Sequence, residues 1–218
     1  MVHLWGRISS LNVRKAVWAA QELGLDFQRT DAGAAYGVTT TAEYQRKNPN
    51  GLVPLLEDGD CVLWESNVIV RYLCARYGAD KNLYPNDLQQ RFDAERWMDW
   101  QQTTFNRAGG PAFLQLVRTA PEARNAELIQ QSVAATEPLL TLLNTHLETH
   151  AYLGGETFGM ADIPMGCEMH RWWGLRSAQF EACGVQRQEL QTYPHVQRWF
   201  GQLLQRPAGR GVLDIALS

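Results

Sequence analysis

Val53-Pro54-Leu55-Leu56-Glu57-Asp58-Gly59-Asp60-Cys61-Val62-Leu63-Trp64 is the stretch that decides the fold. Two short, largely apolar runs flank Asp58-Gly59, and that dipeptide between such runs predicts a β-hairpin. Upstream, His3-Leu4-Trp5 predicts a short strand. Val13, Ala16, Val17, Ala20 and Leu23 then fall at helical spacing, and Gly24 stands where a C-terminal cap belongs. Asp26 to Arg29 predicts a second strand, and Thr41 to Lys47 a short helix stopped before Asn48-Pro49. Downstream, Ser66 is the expected N-cap of a helix striped by Ile69, Tyr72, Leu73 and Tyr77 and closed by Gly78. The order is β-α-β-α-β-β-α.

Asp80 to Asp87 contains Pro85 and several turn formers and reads as a linker. Beyond it the pattern is helical only, with segments expected over Leu88 to about Ala108, Glu122 to Thr149, Met160 to Trp173 and Tyr193 to Gln205. The expected fold class is therefore α/β plus all-α, with one domain at residues 1–80 and a helical-bundle domain at 88–218.

A chain of 218 residues can hold two modest cores, and 45% hydrophobic content excludes a disordered chain. The net charge is -3 and the basic residues are scattered, so neither nucleic acid nor an anionic membrane is an expected partner. Met1 to Ser10 has no signal-peptide pattern, and no apolar run approaches a membrane span. Cys61, Cys74, Cys167 and Cys183 form no CxxC pair, so a reducing, cytoplasmic setting is expected. His146 and His150 are four apart on a helix, but no HExxH pattern accompanies them; no metal site is expected, and both are read as surface histidines.

Three motifs carry a resemblance. Asn48-Pro49-Asn50-Gly51-Leu52-Val53-Pro54 looks like the NP-x-G-x-VP loop of the cytosolic glutathione transferases. Glu65-Ser66 looks like their ES motif, and Phe158-Gly159-Met160-Ala161-Asp162-Ile163 is similar to their F-S/T-x-A-D-I motif. The resemblance spans nearly the whole chain and implies a thioredoxin-like N-terminal domain that binds glutathione as co-substrate, followed by a helical domain that forms the electrophile site. It also implies a homodimer. Trp5 to Lys15 resembles a bacterial group related to the serine-type classes and lacks the N-terminal tyrosine of the tyrosine-type classes.

The resemblance assigns roles residue by residue. It implies a cis bond at Val53-Pro54, which would turn the Val53 backbone N–H and C=O toward glutathione as an added strand would. Ser66, at a helix N-terminus, would take the γ-glutamyl carboxylate and Glu65 the ammonium. Leu52 stands where several classes place glutamine; its side chain cannot hydrogen bond, so Lys47 or another cation would have to hold the glycine carboxylate. Ser9, Ser10 and Asn12 are the candidates for activating the thiol. Matching Val13-Arg14 to the family segment puts Ser10 at the usual serine position and Asn12 where many classes have proline. Arg7, Trp100, Asn106 and Arg107 are the candidates for the electrophile site. Gly159 replaces the usual serine or threonine cap, and Asp162 is expected to reach back to the start of its helix.

The implied chemistry is attack by the glutathione thiolate on a small electrophile, in conjugation or dehalogenation. A thiol of pKa about 8.5 is only about 3% thiolate at neutral pH. Lowering that pKa by about two units raises the fraction to about three quarters but costs roughly tenfold in nucleophilicity, for a net gain of about threefold. Two alternatives stand beside conjugation: a glutathione-dependent peroxidase or disulfide reductase, and a non-catalytic glutathione-binding or assembly module.

Overall fold

Val2 and Leu4 are buried and His3 and Trp5 half-buried, the period-two pattern of a strand with one face on a core. The structure is a computed structural model that describes residues 1–217. This strand, β1 (Val2–Trp5), is interior to a four-stranded sheet of order β2 (Phe27–Thr30), β1, β3 (Leu55–Asp58), β4 (Cys61–Trp64). It runs parallel to β2 and antiparallel to β3, with Leu4 opposite Arg29 on one side and Leu56 on the other. The hairpin forms, but its loop is Gly59-Asp60: Asp58 pairs with Cys61 in the ladder, and Gly59 takes a φ of 61°. A two-residue loop with glycine first matches the strands' twist.

Helix α1 (Leu11–Leu23) ends at Gly24 in the left-handed region, where the Gly24 N–H caps the carbonyls of Ala20 and Gln21. It packs against α3 (Ser66–Tyr77), while α2 (Ala42–Lys47) is capped by the Thr41 hydroxyl. Two expectations shift. Val53-Pro54 precedes β3 instead of belonging to it. Ser66 is the first helical residue of α3, and the cap position falls to Glu65 at φ 72°. The chain leaves β4 at Trp64 and reverses within one residue; Glu65 makes that reversal, so helical geometry starts at Ser66. This confirms the expected order and the α/β plus all-α class.

The helical half starts with α4 (Leu88–Trp100). The chain does not stop near Ala108 but stays helical to Arg118, through a widened π-type turn at Gln101–Phe105, α5 (Asn106–Phe113) and a second such turn at Leu114–Arg118. Gly109-Gly110-Pro111 is a stop signal in isolation. Here Gly109 lets an aromatic ring close in: a Cβ at that position would lie 3.3 Å from Trp172 Cε3. Helix α6 (Ala126–Thr149) begins later than Glu122, at an Asn125 cap that accepts from the Leu128 N–H at 3.1 Å. Helices α7 (Asp162–Gly174), α8 (Ser177–Glu181) and α9 (Pro194–Leu204) follow. His146 and His150 are half-buried and stacked, with ring centroids 4.3 Å apart and backbone carbonyls as partners, which corrects their reading as surface residues.

The two halves meet where α1 crosses α7. The Trp18 ring is buried against Gly166, and a Cβ on Gly166 would sit 2.8 Å from Trp18 Cζ3, so only glycine permits the crossing. Trp18 Nε1 donates to Glu22, which in turn pairs with Arg206 beyond α9 at 2.6 Å.

Asp162 opens α7 with no exposure to solvent. Its carboxylate accepts from the backbone N–H groups of Leu153 at 3.0 Å and Gly159 at 2.9 Å, and from Trp199 Nε1 at 2.8 Å. It thus ties the loop before α7 to α9. Burial pushes its pKa up to about 6, against these three donors, which pull it down. Asp162→Ala leaves three donors without an acceptor, and a loss of about 3 kcal/mol or more is expected in denaturant unfolding. The carboxyl titrates near 6 folded and near 3.8 unfolded, so its contribution is full below pH 3.8 and is lost as pH rises through 6. The stability advantage of wild type over Asp162→Asn is therefore expected to be larger at pH 4 than at pH 7.

Candidate functional site

The loop before β3 is fixed by one side chain. Asn48 is buried; its Nδ2 donates to the Leu52 carbonyl at 2.8 Å and its Oδ1 accepts from the Asn50 N–H at 3.1 Å. The Tyr44 hydroxyl donates to the same Leu52 carbonyl at 2.6 Å. The loop then reaches Val53-Pro54, whose peptide bond is cis. The Leu52 side chain is exposed.

Val53 and Pro54 form one wall of a groove of about 150 Å³; Glu65 and Ser66, at the start of α3, form the opposite wall. Leu52, Gln102 and Asn12 also line it, with Asn48, Asn50 and Trp64. The five residues assigned to glutathione binding thus lie around one cavity. Lys47 does not: it pairs with Glu57 at 2.9 Å and sits over the Trp5 ring, so it cannot serve a carboxylate in the groove.

Next to the groove is a larger cleft of about 360 Å³ between the β1–α1 loop and the α5 region. Ser9, Ser10, Arg7 and Asn106 line it, with Arg14, Arg118 and Arg171, and the apolar surface comes from Leu11, Phe113, Leu114 and Leu217. Asn12 lines both cavities and marks their junction. Ser10 is at the N-cap position of α1, yet its side chain makes no capping bond, which leaves the hydroxyl available to a ligand. Asn12 Oδ1 accepts from the Ser66 hydroxyl at 3.2 Å, which leaves the Asn12 amide N–H groups as donors.

Two expected electrophile-site residues are elsewhere. Trp100 packs in the helical half against Trp97 and Phe105, with centroids 5.2 and 5.7 Å away, and Arg107 is exposed outside the cleft. Both lie on the same continuous helix as Asn106, but on other faces of it: Arg107 follows Asn106 directly and so points about 100° away.

Lys15 is a site residue that the sequence reading missed. It has no solvent exposure. Its Nζ donates to Gln101 Oε1 at 2.8 Å, to Gln102 Oε1 at 2.9 Å and to the Ser66 hydroxyl at 3.5 Å. Gln101 Nε2 donates to Glu168 at 2.7 Å, Glu168 pairs with Arg171, and Arg171 donates to Asn106 Oδ1 at 2.7 Å. One polar chain therefore runs under both cavities, from Ser66 to Asn106. Burial lowers the Lys15 pKa to about 8, with Glu168 opposing. The signal in the sequence was faint: Lys15 and Arg14 are the only polar residues from Val13 to Ala20, a stretch buried all round. Among the described residues no cluster of three or more His, Cys, Asp or Glu is placed to hold a metal ion, and no helix is long and apolar enough to cross a membrane.

Residues 1–75 match the family model for the glutathione S-transferase N-terminal domain, and residues 108–207 that for the C-terminal domain. The chain is 37% identical over the full length of both proteins to glutathione S-transferase GstB of Escherichia coli. It is 30% identical to elongation factor 1-gamma 1 of Oryza sativa, over 93% of this chain but 46% of that protein. Among solved structures, a theta class glutathione S-transferase from Xanthomonas axonopodis pv. citri with glutathione bound superposes with a TM-score of 0.90. It is 39% identical, and the match covers 100% of this chain and 99% of that one. The groove beside Pro54, the cleft beyond Asn12 and these full-length matches lead to one conclusion: the chain belongs to the glutathione S-transferase family.

Proposed function

We infer that the protein is a glutathione transferase that adds the thiolate of bound glutathione to small electrophiles, by conjugation or dehalogenation. The observation that carries this reading is the place of Asn12, which lines both the groove bounded by Pro54 and the start of α3 and a separate cleft. A thiol at that junction has its peptide held on one side and a second substrate on the other, and such positioning outweighs the gain from ionisation alone. The elongation-factor relative keeps the assembly-module alternative in view, but the chain spans about half of that protein and all of GstB. No described residue lining the cleft favours a peroxide or disulfide over a carbon electrophile.

The first domain at 1–80 then binds glutathione through Val53, Pro54, Glu65 and Ser66, with Leu52 at the loop, and the domain at 88–218 supplies Asn106 and the cleft wall. The two serines and the missing tyrosine in Trp5–Lys15 support placement in the bacterial serine-type-like group. Four free cysteines support a reducing, cytoplasmic setting.

In this reading Lys15 is a positioning residue. Its ammonium lies under Ser66 and favours the γ-glutamyl carboxylate there. It is a cation below about pH 8 and neutral above, so binding is expected to weaken as pH rises through that value. Calorimetry with S-methylglutathione, which has no thiol to titrate, should show affinity falling about three- to tenfold from pH 7 to pH 9 in wild type. Lys15→Met should bind more weakly at pH 7 and lose that part of the pH dependence. No binding of either glutathione or its S-methyl derivative at millimolar concentration would sink the whole assignment.

Ser10 is proposed as the principal donor to the thiolate, with Ser9 beside it and Asn12 as second donor. Removing a hydrogen bond to a charged group costs about 1.5 kcal/mol or more, so Ser10→Ala should raise the pKa of bound glutathione by about one unit. Thiolate absorbance against pH measures this, and glutathione affinity should change little. The junction position of Asn12 favours a second reading. If Asn12→Ala raises the bound-thiol pKa and Ser10→Ala does not, Asn12 is the activating residue.

The protein is also proposed to be a homodimer. Val68 on α3 and Leu88 and Phe92 on α4 are exposed apolar residues on two helices joined by the Arg71–Asp99 ion pair. An isologous contact would cover them. Light scattering at micromolar concentration should give a dimer for wild type, and Phe92→Asp should shift it toward monomer.

A further inference from the structure

The cleft carries positive charge out of proportion to the chain. The protein as a whole has a net charge of -3, yet four arginines, Arg7, Arg14, Arg118 and Arg171, line this one cavity. No carboxylate side chain is among its described lining residues. Arg171 is neutralised by Glu168. Arg14 is buried, and its guanidinium donates to neutral groups: the carbonyls of Ile8 at 3.0 Å and Ala216 at 3.4 Å, with His170 Nδ1 at 2.9 Å. Burial and the neighbouring Arg14 charge push the His170 pKa down to about 4, so His170 adds no charge at neutral pH.

Arg7 is the least satisfied of the four. Its Nε is shielded from solvent and has no hydrogen-bond partner. Burial, followed by repulsion from Arg118, makes its charged form less favourable than usual. Arg7 lines the cleft, and an anion held there by the rest of its guanidinium would relieve that repulsion. The rest of the wall suits an organic body: the Arg118 and Arg171 guanidinium groups lie over the Phe113 ring, 5.7 and 5.3 Å from its centroid, and Leu114 and Leu217 also line the cleft.

We propose that the electrophile taken by this cleft is anionic: a small organic acid with an apolar body and a leaving group, whose carboxylate is held by Arg7 on the Arg118 side. This rests on the transferase reading and names the substrate class for it. The reaction balances without a further reactant. The thiolate sulfur bonds to carbon as the carbon–halogen bond breaks, halide leaves with the electron pair, and the thiol proton goes to solvent. An anionic nucleophile and an anionic substrate repel each other, and the arginines offset that repulsion within the site.

The test uses 4-(bromomethyl)benzoate and its neutral partner 4-(bromomethyl)benzamide, which share the reacting carbon and differ at the far end of the ring. Each kcat/KM is divided by the uncatalysed rate with glutathione. The wild-type enzyme should favour the acid by about tenfold, the worth of one charge-assisted hydrogen bond. That preference should shrink in Arg7→Gln and at high salt. A wild-type ratio near one, with both compounds conjugated, overturns the inference and leaves the transferase reading standing. Conjugation of neither overturns both. A ratio that survives in Arg7→Gln while the KM for glutathione rises also overturns it, because it assigns Arg7 to the glycine carboxylate of glutathione instead.

Discussion

The ammonium of Lys15 has no access to water, and the arrangement of both cavities follows from how that charge is accommodated. A buried cation is tolerated only when surrounded by acceptors. Here the acceptors come from both halves of the protein: Ser66 from the start of α3, and Gln101 and Gln102 from the turn after α4. Two consecutive glutamines reach one nitrogen where the helix widens out of α geometry. The charge of Glu168 on α7 completes the circuit through Gln101. Removing one partner would leave a buried charge or a buried dipole without its counterpart. The network therefore fixes the register of α1, α3, α4 and α7 against one another, and with it the distance between groove and cleft.

The sequence revealed the parts whose signals are local. Asp58-Gly59 marks a hairpin because few dipeptides allow so tight a reversal, and Gly24 marks a helix end because its φ of 68° suits glycine. The motif around Asn48 was legible because one side chain holds the whole loop. Where the outcome depends on distant partners, local signals failed. Gly109-Gly110-Pro111 would end a helix in isolation, but Trp172 packs on Gly109 and the helix continues. Trp100 and Arg107 were named for the cleft because they share a helix with Asn106, but Trp100 packs against Trp97 and Phe105 and Arg107 points to solvent. Lys15 looked like an ordinary charged position; its partners lie 51, 86 and 87 residues away in the chain.

Three buried or part-buried ionisable groups show how neighbours decide the state of a charge. Asp162 has three donors and the Arg206 charge nearby, and burial still raises its pKa. Lys15 has acceptors and a nearby carboxylate, and burial still pulls its pKa down to about 8. His170 has an arginine as partner, so burial and like charge act together and keep it neutral. The first of these serves the frame, tying α7 to α9. The second lies beneath the groove. The third stays neutral beside Arg14, which lines the cleft.

Ionisation of the thiol is a small part of what this geometry has to supply, since a pKa drop of about two units nets only about threefold in rate. The larger contribution comes from holding sulfur and electrophile in contact, which a rigid junction does better than a mobile one. Asn12 stands at that junction, with Oδ1 already bonded to Ser66 and its ring of support buried below. Ser10 stands two residues before it with no side-chain capping bond at the N-terminus of α1, where the helix dipole favours negative charge. The two residues therefore differ in position: Asn12 is tied to the groove wall through Ser66, and Ser10 lines the cleft only.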